Sequence, residues 1–126
     1  MTIGILLAGL FLAGATEAPA TVKGDEDSFV SRSYSLFVDC VAQSATAKIE
    51  KSHASATAIA DAAFAACHDE AFLYRMQLQA YLNRMEDPQH FSEAAGDEAE
   101  AIYVQRMKMF HRNVVNAIPG MRKPDR

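Results

Sequence analysis

At 126 residues the chain has room for one domain and is short for two ordinary ones. Half of the residues are hydrophobic, but only 9% are aromatic and tryptophan is absent. Alanine therefore supplies much of the apolar material, and the expected core is thin and closely packed. A net charge of −4 argues against a nucleic-acid-binding domain, where a basic excess is the rule.

The first twenty residues, "MTIGILLAGLFLAGATEAPA", read as a segment apart from the fold. Ile3 to Ala13 is an apolar run of signal-peptide length, followed by the A-x-A pattern Ala18-Pro19-Ala20. Cleavage after Ala20 leaves Thr21 as the mature N-terminus. Ala13-Gly14-Ala15 offers a second site, and retention as an anchor is the remaining outcome. The run is short for a membrane span, which needs roughly 20 residues, and no Lys or Arg precedes it. No cysteine follows it at a lipid-attachment position. The expectation is an exported protein, periplasmic or secreted, with no integral membrane segment after cleavage.

Residues 21–27 form a polar, flexible tail whose Asp25, Glu26 and Asp27 suit the positive end of a helix. A first helix is expected from about Ser28 to Glu50. Val30, Tyr34, Phe37, Val41 and Ala45 recur there at spacings of three and four, one apolar stripe. "KSHAS" breaks the pattern, with Ser52 or Ser55 available as N-cap. A second, long helix is expected from about Ala54 to Met85. Its seam is Ala60, Ala63, Cys67, Ala71, Tyr74, Leu78, Tyr81 and Met85.

"EDPQH" stops that helix, because Pro88 disfavours helical backbone at Asp87. Asp97 and Glu100 have an acidic variant of capping-box spacing. A third helix follows, carrying Tyr103, Met107, Phe110, Val114 and Ile118, and ends at Pro119-Gly120. The expected organisation is a signal peptide at 1–20, a tail at 21–27, a three-helix domain at 28–118 and a C-terminal tail at 119–126.

The two cysteines report on how the first two helices meet. Folded back about a bend near residue 53, Cys40 and Cys67 stand about 13 residues from it on either side. At ~1.5 Å per residue, both lie roughly 20 Å down their helices. A bridge needs Cα atoms ~4.4–6.8 Å apart, closer than the usual 8–10 Å between helix axes. The small side chains of Ala63, Ala66 and Ser44 permit that approach. A Cys40–Cys67 disulfide is expected, and export supplies the oxidising compartment it requires. Turning between Met85 and Asp97 then brings Leu78 near Val104, Tyr74 near Lys108 and Cys67 near Val115. The expected fold is all-α, an up-down-up three-helix bundle.

Few residues point to chemistry. Cys67 and His68 are helix neighbours about 100° apart and do not face each other, so they form no dyad. Asp69-Glu70 and Glu86-Asp87 are adjacent pairs at solvent-facing or loop positions, not converging carboxyls. No Gly-rich phosphate loop, C-x-x-C-H or H-E-x-x-H occurs. His111 with Met107 one turn before it is a weak candidate for copper. No cofactor and no enzymatic activity is expected.

Two surfaces remain. Residues 61–100 hold nine acids and two bases, whereas residues 106–126 hold six bases and one acid. Arg106, Lys108, Arg112, Arg122 and Lys123 thus make a candidate basic patch, suited to an anionic envelope surface. Phe72, Leu73 and Tyr74 are consecutive large apolar residues; two are expected to face the core. A residue left bare beside Met76 marks a surface for a protein partner or self-association, so Phe72, Leu73 and Met76 are the candidate partner surface. The expected role is a non-enzymatic interaction or structural module of the bacterial envelope. The alternative is a small-ligand or copper-binding helical protein.

Overall fold

The computed structural model describes residues 28–86 and 93–122. The expected signal peptide, the N-terminal tail, the Pro88 turn and residues 123–126 lie outside the described residues. Those described are all helical, without a strand: α1 (Ser28–Lys51), α2 (Ala56–Ala66), α3 (His68–Glu86) and α4 (Glu93–Met121). No helix among them is long and apolar enough to cross a membrane.

Helix α1 buries the whole expected stripe, Val30, Tyr34, Phe37, Val41 and Ala45. Ser33, Val38 and Ala42 widen it, because α1 packs against both α2 and α3. Two hydroxyls on this helix are satisfied locally. Ser33 donates to the Val30 carbonyl at 2.9 Å, and Thr46 donates to the Ala42 carbonyl at 2.7 Å. In the turn that follows, the Ala54 N–H donates to the Ser52 hydroxyl. Ser55 is the N-cap of α2, its hydroxyl accepting from the Ala58 N–H at 3.1 Å.

The single long helix expected over 54–85 is two helices. They are divided at Cys67, where φ is −105° and ψ is 28°. The Cys67 N–H is shared between the carbonyls of Ala63 and Phe64, and its own carbonyl accepts from the Ala71 N–H. Cys67 is also where the chain is tied to α1. The Cys40–Cys67 disulfide is formed, with a Cα–Cα distance of 5.9 Å. Two straight helices at ordinary axial separation do not bring Cα atoms so near, and the helix relaxes at the residue that must make the approach. Ala42, Ala45, Ala60 and Ala63 are buried around the junction and leave room for it. Ala66, expected to help, is exposed.

Helix α4 begins at Glu93, one turn before the expected start at Asp97. Ala95 and Ala99 are buried, so that first turn already packs on the core. The register against α3 also differs from the expected one. Tyr74 meets Tyr103, with ring centroids 6.0 Å apart, and Arg106, not Lys108. At the other end α4 continues through Pro119 to Met121, past the expected stop. Ile118 is buried there, and the Arg122 guanidinium donates to the Ala54 carbonyl, tying this end to the α1–α2 turn.

Helix α4 packs on α2 and α3, as α1 does. Between α1 and α4 the space is filled by rings. Phe110 contacts Tyr34, Phe37 and Phe64 at centroid distances of 6.3, 5.6 and 5.5 Å. Tyr34 and Tyr74 stand at 4.8 Å. The core is thin and alanine-rich beside the bridge, and aromatic at its middle.

Candidate functional site

The seam of α3 is clear: Tyr74, Leu78, Tyr81 and Leu82 are buried. At about 100° per residue, Phe72, Met76 and Leu73 fall on the opposite side of the same helix. All three are exposed, by 55%, 47% and 41%. Two of the three consecutive large residues therefore face outward, not one. Both α1 and α4 approach α3 from its seam side, so among the described residues no helix covers the outer one. Leu36, four residues before Cys40 on α1, is exposed at nearly the same depth, as Phe72 is five residues beyond Cys67. Met85, expected in the seam, is 66% exposed, because the covered part of α3 ends at Leu82.

Two of the five residues of the candidate basic patch, Arg106 and Arg122, are engaged within the fold. Arg106 is only 2% exposed and is the largest fully buried side chain. Its Nη1 donates to the Tyr74 hydroxyl at 2.6 Å, and its guanidinium carbon lies 6.0 Å from the Tyr34 ring centroid. The reason is position: Arg106 lies three residues after Tyr103 and four before Phe110, on the inward stripe of α4. Arg122 is half-buried and engaged with Ala54. Lys108 and Arg112 are exposed one turn apart, and Lys123 lies outside the described residues.

The copper candidates are also engaged within the fold. His111 Nε2 lies 2.7 Å from Asp61 Oδ1, linking α4 to α2, and its ring sits edge-on to Phe64 at 5.1 Å. Met107 is half-buried against the core.

A polar cleft of about 320 Å3 opens between α3 and α4, lined by Arg75, Gln79, Glu93, Asp97 and Glu100. Arg75 pairs with Glu100 at 2.7 Å and lies over the Tyr103 ring at 5.6 Å. Burial pushes the Tyr103 hydroxyl pKa above its ordinary 10.0; Arg75 opposes the shift and Glu100 adds to it. A raised folded-state value means that the neutral phenol is favoured by folding. That contribution is complete below the unfolded pKa and is lost as pH rises through the folded one. Urea melts of wild type and Tyr103→Phe are therefore expected to keep a constant difference at neutral pH. Wild type should lose ground as the pH passes above 10.0.

Sequence reasoning missed the buried role of Arg106, although its place on the Tyr103–Phe110 stripe was a usable signal. It also left Leu36 unremarked, although at about 100° per residue that side chain falls well off the Val30–Ala45 stripe. No protein-family model, curated protein or solved structure matches this chain.

Proposed function

We propose that this protein is an exported, non-enzymatic interaction or structural module that docks a partner through the outer face of α3. The observation that carries the reading is one helix with two apolar sides, an inner seam that builds the core and an outer stripe of Phe72, Leu73 and Met76 left in water. Removing apolar surface from water is worth about 25 cal/mol per Å2, and clustered exposed side chains of this size mark contact surfaces. A partner helix seated along the stripe would use the i, i+3, i+4 spacing of helix-in-groove recognition. The bridge between Cys40 and Cys67 fits an oxidising compartment, which supports export to the periplasm or beyond. The same bridge fixes the depth at which α3 presents its outer side.

The test is cross-linking in the native host, read by mass spectrometry, on wild type and Leu73→Asp. Leu73 lies outside the core, so the substitution is expected to shift folding stability by no more than about 0.5 kcal/mol. Loss of the cross-linked species, hetero- or homo-oligomeric, is the expected result. An unchanged cross-link pattern in a folded Leu73→Asp protein contradicts the reading.

A further inference from the structure

Glu70 stands three residues beyond Cys67, one turn along on the same side of the chain. Its carboxylate oxygen and the sulfurs of Cys40 and Cys67 all lie within 4.8 Å of one another. Among the described residues no other trio of histidine, cysteine or carboxylate side chains is gathered so closely. Cys67 is fully buried, whereas Cys40 and Glu70 are half-buried, so the trio sits at the edge of the core with an opening toward solvent.

We infer that reduction of the Cys40–Cys67 bridge turns this trio into a binding site for a thiophilic divalent cation of the zinc type. Two thiolates and the Glu70 carboxylate would be its ligands, with water in the fourth position. The distances fit with little movement. Zinc–sulfur bonds of ~2.3 Å and zinc–oxygen bonds of ~2.0–2.2 Å in a tetrahedral site put its ligand atoms roughly 3.5–3.8 Å apart. Val38, Val41 and Ala42 on α1 and Ala60 and Ala63 on α2 are buried around the pair, whose Cα atoms stand 5.9 Å apart, and they keep the helices packed when the bond opens. Opening the S–S bond therefore asks the sulfurs to rotate apart, not the helices to move. Two soft ligands and one carboxylate select zinc-like cations over calcium or magnesium, which take oxygen alone.

The chemistry balances in two steps. A dithiol reductant delivers two electrons and two protons to the bridge, giving two thiols and the reductant's own disulfide. The cation then displaces both thiol protons to solvent as the thiolates bind it. The cation would clasp α1 to the α2–α3 junction at the point the covalent bond has left, so the rods stay pinned in either redox state.

The experiment uses the full chain, reduced with a phosphine, freed of excess reductant under anaerobic conditions and titrated with cobalt(II), then with zinc(II) in competition. Helicity is followed throughout by circular dichroism. The expected result is one cobalt per chain, with thiolate-to-metal charge-transfer absorption in the reduced protein and none in the oxidised one. Glu70→Gln should weaken zinc binding at least about tenfold while leaving the unfolding midpoint of the oxidised protein unchanged. His68→Ala should leave the affinity unchanged. The inference is overturned if the reduced, helical protein gives no charge-transfer band, if the oxidised protein binds equally well, or if Glu70→Gln binds as tightly as wild type. A requirement for His68 overturns it too, since that histidine is exposed beside Asp69 and is not one of the trio. So does loss of helicity on reduction that the cation fails to restore.

Discussion

Replacing both bridge cysteines, Cys40→Ala with Cys67→Ala, is expected to cost about 3–4 kcal/mol of stability in urea unfolding. The bridge spans 27 residues of sequence. In the loop-entropy description, a closure of that length removes this much conformational freedom from the unfolded chain. Small domains have a total of about 5–15 kcal/mol, so the loss is a large fraction of what there is. The effect acts on the unfolded state. The folded variant should therefore retain wild-type helicity, since Val38, Val41, Ala60 and Ala63 still close the junction. Reduced wild-type protein, without added metal, should show a similar loss. A cost below about 1 kcal/mol would mean that the bridge holds nothing the packing does not already hold.

The second large effect belongs to Arg106. Arg106→Ala is expected to cost about 3–5 kcal/mol, since it leaves a cavity where the largest buried side chain stood and strips the Tyr74 hydroxyl of its 2.6 Å donor. Arg106→Met should cost far less. It fills most of the same volume and removes a charge whose burial is expensive, the pattern seen when buried ionic groups give way to apolar ones. A double-mutant cycle of Arg106→Met with Tyr74→Phe isolates the hydrogen bond, with an expected coupling of about 1.5–3 kcal/mol. Equal losses for Arg106→Ala and Arg106→Met would show that the guanidinium, not its volume, is what the core requires.

The bridge and the buried arginine differ in how far they can be read in advance. Cys40 and Cys67 are legible because antiparallel pairing turns sequence distance from a bend into depth, and both lie equally far from the Ser52–Ser55 turn. The stripe on α1 is legible for a similar reason, since period and spacing are local properties. Arg106 is harder to place. Its position on the stripe says inward and its charge says outward, and only the neighbouring Tyr34 and Tyr74 make the inward answer tolerable. Those neighbours come from two other helices. The break at Cys67 is hidden for the same reason. Nothing in an alanine-rich tract interrupts a helix locally, and the interruption follows from how closely that residue must approach α1. The start of α4 four residues before Asp97 is one that Ala94 and Ala95 make easy by their helix preference.

The candidate surface was half legible. Consecutive Phe72, Leu73 and Tyr74 cannot all point one way, so exposure of at least one follows from helix geometry alone. Which ones, and beside what, depends on the side from which α1 and α4 approach. Charge along the chain does not say which bases face outward. Arg106 and Arg122 turned out to serve internal contacts.

The most direct measurement counts thiols in the folded protein purified from its native host without reductant, by mass after alkylation before and after reduction. No modified cysteine before reduction and two after it, with a linked peptide pair containing Cys40 and Cys67, is the expected result. Two reactive thiols in the unreduced, folded protein would contradict it, and with it the depth at which α3 is held and its outer face presented.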